Sequence, residues 1–263
     1  MNTSKHIQGL LGSALQSNLY ILSESPQSTP FLHGLSSDKI ITLPCSDSLL
    51  INTALGMGIS GTHVLVCLST DQELSSLFAV LEEEQYGPEF PLPIVFLVPS
   101  FQSPSLVSSH KTTYARTGIQ LWNAVSSALK TQSTQIICYN PAALFDVINE
   151  EDMNTTHANA TVHSLGTHIS LFVCGPDIEE AMEFAQSYED VELVEIHSIH
   201  PLGRETIRKS VQKTGRALLL NTPQHVMNEI LDSCFWHLES QIEHTKNHTT
   251  THLTQLRLRL LEK

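Results

Sequence analysis

Short continuous apolar runs alternate along this chain with stretches whose apolar residues recur at helical spacing. The runs cover residues 18–23, 63–68, 93–98, 135–139, 168–174, 191–196 and 217–220. Continuous rather than alternating hydrophobicity is typical of strands in a parallel sheet that is covered on both faces. Because helical patterns separate the runs, the sequence predicts an α/β protein with two α-β-α domains, each built on a parallel or mixed sheet.

A polar stretch without apolar periodicity divides the chain. We predict a first domain over residues 1–150, a linker over 151–166, a second domain over 167–240 and a polar tail over 241–263. Within the tail, the Thr- and His-rich residues 244–252 are predicted to be frayed, with metal binding as the alternative. Residues 253–261 fit either a short amphipathic helix or a strand for a partner.

Charge narrows the classes of function. The 263 residues carry a formal net charge of −13, which argues against partners such as nucleic acid or an anionic membrane surface. The N-terminus lacks a signal-peptide pattern and no apolar run is long enough to span a membrane. Five scattered cysteines without a CxxC pair favour reduced, buried thiols over disulfides or zinc. We therefore predict a cytoplasmic protein.

The most informative stretch begins a helix after a polar loop. Ser46 is a good N-cap, and Asp47 lies in the first turn, where a negative charge suits the helix dipole. Residues 50, 51, 54, 55 and 58 form an apolar stripe, and the small residues Ala54, Gly56 and Gly58 allow another element to come close. Taken alone, Asp47 is explained by its helix terminus.

The order of residues from Leu43 to Gly61 resembles the pyrimidine-binding domain of the beta subunit of thiamine-diphosphate-dependent 2-oxoacid dehydrogenases, such as pyruvate dehydrogenase. In that family a glutamate at this helix start hydrogen-bonds the aminopyrimidine ring of the cofactor. The matching residue is Asp47, which the resemblance implies to be catalytic and cofactor-binding. Aspartate keeps the carboxyl group and shortens its reach by one methylene.

Two further positions follow from the resemblance. The family has a Gly-Glu pair after its first strand, near the cofactor, and Ser23-Glu24 stands here, so Glu24 is either cofactor-binding or a solvated acid. A family loop carries an aromatic residue that stacks on the pyrimidine ring, and Thr70 and Glu73 occupy the matching positions. Thr70 is thus the cofactor-side residue implied there. A family histidine has no counterpart, although His110 is nearby.

The second domain carries the most specific similarity. The passage from His197 to Arg216, which ends Lys-Thr-Gly-Arg, resembles the transketolase C-terminal domain, whose role in this family is assembly. The similarity covers roughly residues 5–239. After the third strand, Asn221-Thr222 replaces the His-Glu of the family.

These similarities imply thiamine diphosphate shared with an alpha subunit that holds the diphosphate and its magnesium, because this sequence has no Gly-Asp-Gly motif. They also imply a dimer or heterotetramer, and transfer of the acyl group to a lipoyl acyltransferase core. Two alternatives stay open. The departures from the family fit a catalytically inactive relative with an assembly or regulatory role, and a free-standing binding module is the third reading.

Overall fold

The computed structural model describes residues 1–25, 29–43, 47–70, 77, 79–81, 92–101, 110–149, 159–246 and 249–262. The described residues divide into two compact units, unit 1 up to residue 149 and unit 2 from residue 159 onward. Both units carry sheets of mostly parallel strands with helices against them. The predicted α/β class is confirmed.

Unit 1 is built on a parallel sheet. Its strands are β1 (Leu19–Ser23), β2 (Ile40–Thr42), β3 (His63–Cys67), β4 (Ile94–Pro99), β5 (Lys111–Ala115) and β6 (Gln135–Tyr139). They lie in the spatial order β5-β6-β4-β3-β1-β2, and every pairing among them is parallel. β3, β4 and β6 are buried nearly throughout, as expected for central strands covered on both faces.

The helices of unit 1 cover the two faces differently. α1 (Thr3–Ala14) and α3 (Gly118–Ala128) pack together over one core cluster, which takes Val95 and Leu97 from β4. α2 (Asp47–Ile59) packs on β1, β3 and β4, with Gly58 against Ile94. Because successive side chains of a strand point to opposite faces, α2 lies on the other side of the sheet.

Polar contacts tie the start of α1 to the start of α3. The Asp146 carboxylate accepts from the backbone N–H of Gly118 at 2.6 Å. The Asp146 carbonyl accepts from both the backbone N–H and the hydroxyl of Thr3, at 2.9 and 3.0 Å. Thr117 and Gln120 form a capping box at α3. These bonds fix the short 3-10 helix Pro141–Phe145 that precedes Asp146.

The stripe predicted for α2 is confirmed, because Leu50, Ile51, Ala54, Leu55 and Gly58 are all buried. The close approach is made at Gly58, where a Cβ would lie 2.6 Å from Cδ1 and 2.8 Å from Cγ1 of Ile94. The predicted N-cap, Ser46, lies outside the described residues.

Unit 2 contains a second sheet. Its strands are β7 (Ala160–Ser164), β8 (Ile169–Val173), β9 (Val191–Ile196), β11 (Ala217–Leu220) and β12 (Glu243–Thr245), in the order β12-β11-β8-β9-β7. Only β7 is antiparallel among these pairings. A short strand β10 (Ser198–His200) follows β9. The helices are α4 (Ile178–Gln186), α5 (Arg204–Thr214), α6 (Gln224–Cys234) and α7 (Thr250–Leu261).

Each residue of the Lys-Thr-Gly-Arg passage has a structural role in unit 2. Lys213 pairs with the buried Glu192 of β9, and the Thr214 hydroxyl bonds that of Ser170 at 2.7 Å. Gly215 ends α5 with φ of 71°, a left-handed conformation that favours glycine. Arg216 Nε donates to the Leu260 carbonyl at 2.9 Å. The passage therefore joins α5 and β9 to the final helix.

The expectation of a frayed segment over residues 244–252 is wrong for residues 244–245 and 250–252. Of the two alternatives for residues 253–261, the structure confirms the helix. β12 extends the sheet beside β11, and α7 places Leu253, Leu256 and Leu260 in the unit 2 core. Arg257 forms a bidentate ion pair with Asp190, at 2.8 to 3.1 Å, and its guanidinium lies 4.2 Å from the centre of the Tyr188 ring. The Thr- and His-rich composition concealed a helix whose leucines are its core-facing residues.

Two other expectations need correction. The predicted linker contains β7, which pairs with β9, while residues 151–158 of that linker lie outside the described part of the chain. The apolar runs predict no strand between residues 98 and 135, yet β5 lies there. Thr112 and Thr113 of β5 are buried, and β-branched threonine suits a strand despite its polarity.

We predict that Gly58→Ala lowers the free energy of unfolding by about 1–3 kcal/mol, because the new methyl group overlaps the buried Ile94. Urea denaturation measures this change. The matched control is Gly56→Ala in the same helix, where nothing lies within 4 Å of the added Cβ. It should raise stability by about 0.5–1 kcal/mol, and equal shifts for the two variants would contradict the packing.

A second prediction concerns α7. Leu253 is fully buried, so Leu253→Ala should lower the free energy of unfolding by about 2–5 kcal/mol. Leu258 on the same helix is 48% exposed, and Leu258→Ala should change stability by no more than about 0.5 kcal/mol. Thermal denaturation followed by circular dichroism tests both variants. A similarly small effect of the two would show that α7 is not part of the core.

Candidate functional site

The carboxyl ends of the unit 1 strands form one edge of the sheet. Because β1, β2, β3, β4 and β6 run parallel, the residues that follow them emerge on the same side. In open α/β sheets ligands bind outside this edge. α2 also begins there, since β2 ends at Thr42 and the helix starts at Asp47. The fold therefore directs several loops and one helix terminus to a single region.

A cleft of about 410 Å³ opens at this edge. Its wall comes from the residues after β3, β4 and β6, together with Thr29 and Pro30. Its described lining residues are Thr29, Pro30, Leu68, Ser69, Thr70, Pro99, Phe101, Tyr139, Pro141, Leu144 and Phe145. A volume of this size is in the range of small-molecule sites.

The structure brings one of the three sequence-predicted residues to the cleft. Thr70 is exposed and lines it. Glu24 is also exposed and follows β1 at the same edge, but it is not among the lining residues. Asp47 is the first residue of α2, so its backbone is at this edge, while its side chain lies outside the described part of the structure.

His110 cannot replace the missing family histidine at this edge. It is buried and immediately precedes β5. β5 pairs in parallel with β6, Lys111 opposite Gln135, so His110 lies at the amino edge of the sheet. The possibility that it substitutes at the site is therefore wrong.

The described lining of the cleft contains one buried phenol, that of Tyr139. Tyr139 is buried there next to Cys67 in the same core cluster. Burial raises the pKa of the Cys67 thiol to about 12. Burial also raises the pKa of the Tyr139 phenol, with a smaller contribution from Cys67. Both groups stay protonated near neutral pH, so Cys67 supplies no thiolate and Tyr139 no phenolate.

The cleft fits the ring end of thiamine diphosphate better than its diphosphate end. None of the described lining residues is charged, and the wall combines apolar and aromatic side chains with the hydroxyls of Ser69 and Thr70. Within the described ranges, no group of three or more His, Cys, Asp or Glu side chains could hold a metal ion. A diphosphate binds positively charged groups, and its divalent cation needs oxygen ligands such as carboxylates.

Sequence reasoning did not identify the two most exposed aromatic residues of the cleft. Phe101 is 70% exposed and follows β4, and Phe145 is 67% exposed at the end of the 3-10 helix after β6. The resemblance directed attention to the loop after β3, where Thr70 stands. An aromatic residue just beyond a buried strand was the signal that could have found Phe101.

The four described cysteines, Cys67, Cys138, Cys174 and Cys234, are all buried and form no disulfide. Cys45 lies outside the described residues. None of the helices in the described ranges is both long and apolar enough to cross a membrane.

Comparison with known sequences finds distant relatives, among them beta subunits of pyruvate dehydrogenase. Pyruvate dehydrogenase E1 component subunit beta of Staphylococcus aureus (strain N315) is 31% identical over 81 residues, covering 29% of this chain and 25% of that protein. The protein of the same name from Bacillus subtilis (strain 168) is 29% identical over 106 residues, covering 36% and 33%. That from Rhizobium meliloti (strain 1021) is 21% identical over 247 residues, covering 80% and 53%.

These matches span about a quarter to a half of the length of the relatives. No protein-family model matches the chain. A solved structure described as "Split gene transketolase, inactive beta4 tetramer" superposes with a TM-score of 0.71 at 14% identity, covering 93% of this chain and 88% of that one, and so shares its fold. Taken together, these comparisons show that the chain is distantly similar in sequence to pyruvate dehydrogenase E1 beta subunits and has a transketolase-like fold.

Proposed function

We propose that this chain is the beta-like component of a thiamine-diphosphate-dependent 2-oxoacid dehydrogenase. In this role it binds the aminopyrimidine end of the cofactor at the carboxyl edge of unit 1 and contributes to oxidative decarboxylation of a 2-oxoacid such as pyruvate. The observation that carries the proposal is a cleft whose described lining is uncharged, at the edge where α2 begins with Asp47.

Asp47 is the proposed proton-exchanging group. An acid at the start of a helix is stabilised by the helix dipole, and a carboxyl group within hydrogen-bond reach of a ring nitrogen can give and take a proton. Thiamine diphosphate, when bound, supplies the electron sink that decarboxylation of a 2-oxoacid requires. Thr70 and Glu24 are proposed to contact the cofactor from the ends of β3 and β1.

A second chain is part of the proposal. The described residues offer no metal cluster, and none of the described lining residues of the cleft carries a positive charge for a diphosphate. We therefore assign the diphosphate and its magnesium to an alpha-type subunit, in a dimer or heterotetramer. A lipoyl acyltransferase core would receive the acyl group, and the buried thiols suit the cytoplasm.

The test is Asp47→Asn in the chain co-expressed with its alpha-type partner. The amide keeps the size of the side chain but cannot exchange the proton, so kcat for 2-oxoacid decarboxylation should fall by about 10²- to 10⁴-fold. Binding of thiamine diphosphate with magnesium, measured by calorimetry, should persist. The matched control is Asp38→Asn, an exposed acid in the loop before β2, which should leave kcat unchanged.

Two results would overturn the proposal. If the wild-type complex neither binds thiamine diphosphate nor turns over a 2-oxoacid, the chain is an inactive relative with an assembly or regulatory role. If the wild type is active and Asp47→Asn has the same kcat, Asp47 is not the proton-exchanging group.

A further inference from the structure

The helix α6 of unit 2 is apolar over more of its surface than its core contact uses. Its inward stripe is buried and consists of Val226, Ile230 and Cys234. A second stripe, displaced by one residue, runs through Met227, Leu231 and Phe235, and Leu231 is 40% and Phe235 59% exposed. Apolar residues spaced by four along a helix form a ridge that packs against another helix. The outer stripe is therefore suited to a helical partner.

The outer stripe borders a groove of about 580 Å³. Trp236 lines the same groove and is 92% exposed, and its ring meets that of Phe235 edge to face with the centroids 5.5 Å apart. Among the described lining residues the charged one is Glu239, which pairs with Arg216 at 2.8 Å. Contiguous exposed apolar surface marks interaction sites, and tryptophan is enriched at the energetic centre of protein interfaces. The groove is thus a docking surface with Trp236 as its anchor.

The neighbouring helix α5 is basic, although the chain as a whole is acidic. Its 11 residues carry four of the 14 Lys and Arg residues of a chain whose formal net charge is −13. These four exposed residues are Arg204, Arg208, Lys209 and Lys213. Arg204 is paired with Glu229 of α6 at 3.0 Å, whereas Arg208 forms no ion pair with the described residues. The helix therefore presents a local positive surface to a partner.

A contact at the end of α5 places this basic surface beside the groove. Trp236 and His237 are neighbours in a short 3-10 helix, and Nε2 of His237 lies 3.3 Å from Nε2 of Gln212 on α5. Arg208 and Lys209 precede Gln212 by four and three residues, so the three side chains share one side of α5. A helical segment that covers Trp236 therefore has the apolar groove on one side and two cations on the other.

We propose that this surface of unit 2 binds an amphipathic helical segment of another protein, apolar on one face and acidic along its flank. The apolar face packs into the groove against Leu231 and Trp236, and the acidic flank meets Arg208 and Lys209. A second copy of this chain is a poorer occupant, because a twofold contact through the same patch brings two basic α5 helices together. The inference concerns unit 2 alone and does not depend on the proposed function.

The probe is a labelled synthetic peptide of about 18 residues, or roughly five helical turns, with leucines along one face and glutamates elsewhere. A counterpart peptide carries lysine in place of every glutamate. Each is titrated into the full chain and followed by fluorescence anisotropy. The glutamate peptide should bind with a dissociation constant of about 10 μM, and the lysine peptide at least about tenfold more weakly.

Tryptophan emission gives a second reading of the same titration. The chain has two tryptophans, and Trp122 packs against the unit 1 core. Covering the exposed indole of Trp236 with apolar side chains should shift the emission to shorter wavelength. The shift should be absent in Trp236→Phe.

The variants separate the apolar and the charged contributions. Trp236→Ala and Leu231→Ala should each weaken the glutamate peptide by about tenfold. Arg208→Glu should weaken the glutamate peptide and strengthen the lysine peptide, each by about threefold to tenfold. Because these side chains are exposed, the unfolding temperature should hardly change. The matched controls are Leu258→Ala, 48% exposed on α7, and Lys130→Glu, exposed after α3 in unit 1, and both should bind as the wild type does.

Three results would overturn the inference. The first is equal binding of the two peptides, or binding of neither. The second is unchanged affinity for the glutamate peptide in Trp236→Ala. The third is self-association of the chain in sedimentation velocity that Trp236→Ala abolishes, which would make a second copy the occupant. None of these assays uses thiamine diphosphate or a 2-oxoacid, so their outcome is separate from that of the proposed function.

Discussion

The structure depends on one constraint, the parallel pairing of strands in unit 1. Parallel neighbours cannot be joined by tight turns, so each connection crosses a face of the sheet and returns to the amino edge. The strands are consequently buried on both faces, and the polar residues after them collect at the carboxyl edge. The cleft, Thr70, Glu24 and the start of α2 share one region for this reason.

The sequence predicts elements well wherever burial leaves a strong pattern. β6, β9 and β11 have the predicted bounds, because a strand covered on both faces must be apolar at every position. β5 was missed since its buried threonines look polar in sequence, although their methyl groups pack in a strand. For α7 the sequence left helix and strand open, because the polar first turn obscures the helical spacing of the leucines. Packing of those leucines in the unit 2 core favours the helix.

The candidate site was predictable in part. Residues directly after strands, such as Glu24 and Thr70, could be assigned to the carboxyl edge from chain order alone. Phe101 and Phe145 could not be paired in this way, because their proximity to one cleft depends on β4 lying beside β6. The spatial order of strands in a parallel sheet does not follow their order in the chain. Here β5 lies beside β6 on the side away from β4, although β5 precedes β6 in the chain. Family resemblance assigned the aromatic contact to one loop and gave no reason to examine others.

The arginine contacts of α7 bear on how the protein is made. Arg257 of the last helix pairs with Asp190, 67 positions earlier in the chain, and Arg216 donates to the carbonyl of Leu260 in that helix, 44 positions later. Leucines of the same helix complete the apolar centre of unit 2. During synthesis, unit 1 can assemble from residues already released by the ribosome. Until Leu260 has emerged, part of the apolar surface of unit 2 stays uncovered, and exposed apolar surface of this kind favours aggregation.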